Sequence, residues 1–376
     1  MTPKIARYLA DNRPATPCLV LDVDRVEENF RAIRDALPLA RVYYAVKANP
    51  ARPILERLVK LESSFDAASF EEIAACMAAG ATPSAISYGN TVKKVSAIRA
   101  AHQAGVTMFA FDSAEELEKL AANAPGARVY CRILVGNEGA DWPLSRKFGT
   151  TVELARDLML RAADMGLDPY GLSFHVGSQQ TSTASYEAAI GKVGMLFTDL
   201  KDAGVNVRMV NLGGGFPIRY RDEVPGIDAF GNAIMHAMID CFGNALPEMV
   251  IEPGRAVVGS AGQVQAEVVL VSQRDPADPV RWVYLDIGRF GGLAETEGES
   301  IKYQFATPHD GTPMGPVALA GPTCDGADIL YERSNYRLPL ALKSGDEISI
   351  LSTGAYVTTY ASQSFNGFAP LAEHYI

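Results

Sequence analysis

The sequence is poor in cysteine: Cys18, Cys76, Cys131, Cys241 and Cys324 are scattered, with no C-x-x-C and no paired spacing. That scatter argues against a disulfide framework or a zinc site and suits a reducing cytoplasm. His102, His175, His236, His309 and His374 are equally dispersed and no H-E-x-x-H occurs, so no metal is expected. Basic blocks are missing too, with 34 Lys and Arg against 44 Asp and Glu and a net charge of −10. Nucleic acid is therefore not an expected partner, because phosphate binding needs a concentrated basic surface. No apolar run is long enough to span a bilayer, and "MTPKIARYLADNRP" has no core of signal-peptide length, so neither a membrane span nor a leader is expected.

What remains is a globular composition, 48% hydrophobic and 21% charged, in 376 residues. That length holds one large domain with a smaller one, or two of ordinary size. From about residue 40 to 255, short apolar strands alternate with amphipathic helices. Eight strand candidates stand out: "RVYYAVKA", "SSFDAAS", "SAISYGN", "TMFAFDS", "ARVYCRILV", "YGLSFHVGS", "RMVNLGGGF" and "EMVIEPGR". Ser69 to Glu72 and Ser113 to Glu116 match the S-x-x-E capping box, and Gly80, Gly105, Gly166 and Gly204 sit where helices close. Eight such units imply a parallel sheet covered on both faces, and eight is the number that closes a (β/α)8 barrel; an open doubly wound sheet is the alternative. After Arg255 the pattern changes to strands separated by turn residues, which predicts a second, all-β domain. The early strand "PCLVLDV" has no crossover before it and is assigned to that domain as well. The expected division is a barrel over residues 24–258 and a β-domain over 1–23 and 259–376.

Barrel chemistry gathers at the C-terminal ends of the strands. The polar residues there are Lys47, Asp66, Asn90, Asp112, Arg132, His175, Ser178, Gly213-Gly214-Gly215, Glu252 and Arg255. In "NLGGGFP" the backbone N–H groups suit a phosphate, which Arg255 and Ser178 would help to grip. Three glycines in isolation more often make a tight turn. Glu252 either pairs with Arg255 or holds a proton on a heterocyclic nitrogen. Lys47, at the end of an apolar strand, is placed to form a Schiff base with an aldehyde. A phosphate grip, a Schiff-base lysine and a carboxylate for a ring nitrogen together describe pyridoxal 5′-phosphate (PLP).

With those residues in place, the chain resembles a known family, the PLP-dependent group IV decarboxylases of the alanine-racemase fold (fold type III), and within it the short bacterial ornithine decarboxylase branch. The resemblance rests on "YYAVKANP", "FDAAS", "RKFG", "FHVGSQ", "NLGGGFP", "EPGR", "GPTCDGAD" and "GAY…FNGF", in the family's order from residue 43 to 368. It implies a PLP barrel, a β-domain and a head-to-tail homodimer with shared active sites. It implies that Lys47 carries the cofactor, His175 stacks on its ring and Glu252 pairs with the ring nitrogen. It further implies that Gly213, Gly214, Gly215, Ser178, Gly254, Arg255 and Tyr356 hold the phosphate side, with Asp66 and Arg132 in support. Cys324 and Asp325 would reach the site from the other subunit, Cys324 steering proton return to the α-carbon and Asp325 binding the substrate's distal amine. Racemases of the fold place an arginine at the ring nitrogen, so "EPGR" favours a decarboxylase.

The expected reaction is decarboxylation of L-ornithine to putrescine and CO2. L-lysine decarboxylation, giving cadaverine, is the alternative substrate reading, alone or as a dual activity, and a cofactor-free regulatory binding protein is the non-enzyme alternative. For the distal amine the resemblance points to Glu299, with Glu295 and Glu297 as competitors; a loop with three glutamates is otherwise a solvated surface. "KYQF" departs from the branch, where a proline often follows the tyrosine.

Overall fold

The computed structural model describes residues 1–143 and 147–376. The chain divides into two compact units, one of residues 27–217 and 224–257, the other of residues 1–26, 218–223 and 258–376.

The first unit is a closed barrel of eight parallel strands: Ala40–Ala45, Ser64–Ala67, Ile86–Tyr88, Met108–Phe111, Arg128–Arg132, Asp168–Ser173, Met209–Asn211 and Glu248–Ile251. All eight come from the sequence candidates. The last strand closes on the first through Met249 to Ala40 and Ile251 to Val42. Each strand alternates its side chains, so one set fills the barrel while the other packs under the helices. The interior set includes Tyr43, Met108, Ala110, Tyr130, Tyr170, Met209 and Val250, all buried. Large and small residues face one another there, as a filled barrel requires. The buried Tyr130 hydroxyl is satisfied by the Ser87 hydroxyl at 2.8 Å.

Both capping boxes start helices, with the Ser69 and Ser113 hydroxyls accepting from the Glu72 and Glu116 N–H groups at 3.2 and 3.3 Å. Glu72 also accepts from the Ala68 N–H at 2.7 Å. Glu116 does otherwise: it turns inward to the buried Lys93 ammonium at 3.0 Å, and Lys119 meets its other oxygen at 2.5 Å. Lys93 donates in addition to the carbonyls of Asn90 (2.8 Å) and Ala110 (2.6 Å). A buried ion network thus ties the third and fourth strand ends together.

The second unit is built on a nine-stranded sheet around the long strand Gly262–Ser272. The strand Cys18–Leu21 pairs antiparallel to it and parallel to the C-terminal strand Ala372–Tyr375. This unit is mostly sheet rather than all-β: Pro3–Asn12 is a helix. Thr2 caps it by accepting from the Ile5 N–H at 3.2 Å, and Pro3 stands at its first turn, where a missing N–H costs nothing.

Candidate active site

Lys47 lies in a single helical turn, Val46–Ala48, that follows the first barrel strand. Val46 and Ala48 are buried on either side, and the Tyr44 hydroxyl fastens the turn by donating to the Asn49 carbonyl at 2.8 Å. Lys47 itself is exposed. Its charge is felt at Asp66, Glu72, His175 and Glu252, which places the ends of strands one, two, six and eight around one mouth.

Asp66 and Glu252 are two carboxylates at that mouth, and the Glu252 charge is felt at Asp66. Burial raises both above the usual carboxylate range, and the charge of Glu252 raises Asp66 further; Lys47 and Arg132 work against the rise. Burial penalises the charged form, and a neighbouring like charge adds to the penalty. Asn211 holds Glu252 in place. Its amide donates to a Glu252 oxygen while its Oδ1 accepts from the Gly213 N–H at 2.9 Å. Asp66 keeps one buried oxygen, Oδ1, with no hydrogen-bond partner among the described residues. Burial works against the Arg132 charge, offset by Glu252, Asp112 and Asp66, and the guanidinium lies 5.0 Å from the Phe148 ring centre.

His175 is neutral here. Burial, then the Arg132 and Lys47 charges, hold it well below the usual imidazole range. The Gly177 N–H donates to Nδ1 at 3.0 Å, which leaves the ring's own hydrogen on Nε2.

The glycine triplet is more than a turn. A Cβ on Gly213 would stand 2.3 Å from the Phe174 carbonyl oxygen, one on Gly214 2.3 Å from that of Glu252, and one on Gly215 2.1 Å from that of Gly177. Gly213 and Gly215 also have left-handed φ of +69° and +105°. Backbone from the sixth and eighth strand ends therefore closes on the triplet with no room for side chains. Tyr186 pins it by donating to the Gly214 carbonyl at 2.8 Å. Nearby Arg255, 3% exposed, opens the short helix Arg255–Val258, just after Gly254, and its Nε and Nη2 reach the Ser178 hydroxyl at 3.3 and 3.1 Å. A side-chain-free turn, a buried arginine and a hydroxyl make a donor set that fits a phosphate monoester. With an exposed lysine and a buried carboxylate pair beside it, the set fits PLP.

Tyr356, Cys324, Asp325 and Glu299 belong to the other unit. Tyr356 is half-buried with a left-handed φ of +59°. Cys324 is exposed, and both its N–H and its thiol donate to Asn366 Oδ1, at 3.0 and 3.3 Å. Asp325 accepts from the Ala327 N–H at 2.8 Å. The Glu299 carboxylate accepts from the N–H groups of Glu332 (2.9 Å) and Arg333 (2.8 Å) and from the Ser334 hydroxyl. Burial alone would raise its pKa; the Ser334 hydroxyl and those two amides more than offset that and lower it. Glu295 is buried and Glu297 exposed. "RKFG" begins at Arg146, outside the described residues; its Gly149 N–H donates to Asp112 at 2.8 Å. Asn211, Tyr186 and Asn366 were not singled out from the sequence. Asn211 and Asn366 stand inside "NLGGGFP" and "FNGF", where the glycines and aromatics are the stronger signals.

Residues 23–259 match the family described as pyridoxal-dependent decarboxylase, pyridoxal binding domain. The chain is 36% identical over 370 residues to the lysine/ornithine decarboxylase of Selenomonas ruminantium, covering 98% of this chain and 91% of that protein. It is 32% identical over 375 residues to antizyme inhibitor 2 of Xenopus laevis, covering 94% of this chain and 79% of that one. Among solved structures, the lysine/ornithine decarboxylase of Vibrio vulnificus complexed with cadaverine is similar at a TM-score of 0.88 and 29% identity, over 99% of this chain and 97% of that one. A further structure of that Vibrio protein is complexed with putrescine.

Proposed function

Because the chain belongs to the pyridoxal-dependent decarboxylases, we propose that it removes the α-carboxylate of L-ornithine as CO2 to give putrescine, and acts on L-lysine by the same route to give cadaverine. The observation that carries this reading is the grouping of Lys47, Asp66, Glu252 and His175 at one barrel mouth, with the glycine triplet packed against Glu252. The names of relatives support both substrates. Ornithine and lysine differ by one methylene, which a hydrophobic pocket discriminates by only about 1–3 kcal/mol.

When bound, PLP supplies a carbonyl that captures the substrate's amine and a conjugated ring that takes up the electron pair left as CO2 departs. Lys47 Nζ would hold that carbonyl between turnovers and yield it to the incoming amine. Glu252, raised by burial while Asn211, Lys47 and Arg132 favour its charged form, would hold a proton on the ring nitrogen. A neutral His175 can lie against the ring without bringing a second cation to compete for Glu252. Arg255, Ser178, Gly254 and the glycine triplet would anchor the phosphate, a role proposed for Tyr356 as well, while Asp66 and Arg132 balance charge in the mouth. A homodimer belongs to the same proposal, in which the partner's Cys324 returns a proton to the α-carbon and the partner's Asp325 meets the distal amine; Glu299 is proposed for that amine as well. So does a cytoplasmic location, which the five free cysteines suit.

A cofactor-free regulatory protein is the second reading, favoured by the antizyme inhibitor likeness. Against it stands the preserved set from Lys47 to Arg255. The test is CO2 release by PLP-loaded protein from L-ornithine, L-lysine, L-arginine and diaminopimelate, beside Lys47→Ala. Release from ornithine and lysine that disappears in the variant is expected. Release from neither would overturn the proposal.

A further inference from the structure

The loop that carries Cys324 is fixed from below by Asp328. That carboxylate is 2% exposed and accepts from the Thr323 N–H (3.1 Å), the Thr323 hydroxyl (2.8 Å) and the Arg289 N–H (2.7 Å). Gly288 and Gly321 close over it so tightly that a Cβ on either would lie within 2.3 Å of its oxygens. The backbone of residues 321–328 is therefore held without outside help.

Asn366 adds something different. Its Oδ1 takes two donors from one residue, the Cys324 N–H and the Cys324 thiol. To bring the amide there the chain accepts an unfavourable path: Ser364, Asn366 and Gly367 all have left-handed φ, at +57°, +51° and +80°. Such conformations cost a non-glycine residue about 1–3 kcal/mol and persist where surroundings over-determine them. Here the Phe365 ring packs on Phe290 with centres 4.8 Å apart. Asparagine is among the few side chains that tolerate this backbone, and it also brings an acceptor.

We propose that Asn366 is the positioning residue for the Cys324 thiol, holding the S–H hydrogen and aiming the sulfur for proton delivery. The inference rests on the reading of Cys324 as the group that returns a proton to the α-carbon. An acceptor on the S–H engages the sulfur, whereas removing it frees the sulfur to react. Glycine at 366 suits the left-handed backbone and lacks the acceptor; aspartate keeps the acceptor and makes it a charged, stronger one.

The test is the rate of Cys324 alkylation by iodoacetamide at fixed pH in the holoenzyme, followed by peptide mass, for wild type, Asn366→Gly and Asn366→Asp. Exposed Cys241 is the internal control. One neutral hydrogen bond is worth about 1 kcal/mol, so a roughly fivefold faster reaction is expected in Asn366→Gly. A slower one is expected in Asn366→Asp. Turnover follows the thiol: kcat falls about tenfold in Asn366→Gly with KM within about twofold, and Asn366→Asp recovers part of it. A purely structural role would move both variants in the same direction. Equal rates in all three proteins, or the reverse order, overturn the inference. If the alkylation order holds while kcat is unchanged, Asn366 still governs the thiol, but the reading of Cys324 as proton donor falls and the proposal with it.

Discussion

Replacing Gly214 by alanine tests the glycine triplet with little contribution from backbone strain, because Gly214, unlike its two neighbours, is not left-handed. The added Cβ would stand 2.3 Å from the Glu252 carbonyl oxygen, at least 0.7 Å inside the 3.0 Å limit that real Cβ contacts respect. Either the triplet or the end of the eighth strand must retreat by about 1 Å. Both movements pull on the same bonds, since the Glu252 N–H donates to the Gly213 carbonyl at 2.8 Å and Asn211 bridges Glu252 to Gly213. A misplacement of about 1 Å in a catalytic arrangement can cost about a hundredfold in rate, or roughly 2.7 kcal/mol. Gly204→Ala is the control: φ is +86° but nothing lies within 4 Å of the new Cβ, so about 1 kcal/mol of backbone strain is expected and no loss of activity. The assay is steady-state decarboxylation with PLP affinity measured on the same samples, and urea melts to set both variants against wild type. A Gly214→Ala enzyme within twofold of wild type in both kcat and cofactor affinity would refute the reasoning.

Further outcomes follow from the charged groups. Lys93→Met should destabilise the fold by about 1–3 kcal/mol in urea melts, because it leaves Glu116 Oε1 buried without its ammonium while Lys119 still pairs with the other oxygen, and Lys93→Met with Glu116→Leu should recover part of that loss. Burial pushes the Lys93 pKa down to about 8, with Glu116 opposing. The unfolded chain therefore binds a proton that the folded one lacks between about pH 8 and 10.5, so this residue's contribution rises with pH by about 3 kcal/mol across that window. The stability difference between wild type and Lys93→Met should widen accordingly, and a constant difference would contradict it. His175 should show Nε2–H and no titration by 15N NMR from pH 8 down to 6; with its folded pKa depressed, its contribution to stability is full above the unfolded value near 6.5 and is lost progressively as pH falls from there toward the folded pKa.

The barrel was legible because its strands are nearly continuous apolar runs ended by Gly, Pro or a charge, a pattern that parallel pairing and burial on both faces impose. The Pro3–Asn12 helix is hard to read from the sequence because its apolar stripe, Ile5, Tyr8 and Leu9, fits within ten residues, fewer than a periodic pattern needs to declare itself. Ser113 caps its helix as the S-x-x-E pattern predicts, but the Glu116 side chain turns inward to Lys93, a meeting of a helix's first turn with a separate loop that spacing along the chain does not encode. The same holds for Asn211 and Asn366, whose importance lies in what their amides touch. Lys47 stood out because it is a lone charge at the end of an apolar strand.

The most direct test of the account is borohydride reduction of the PLP-loaded protein followed by peptide mass mapping. A single pyridoxyl adduct on Lys47, prevented by Lys47→Ala, is the predicted result. Adducts spread over the exposed lysines with Lys47 unmodified would contradict it.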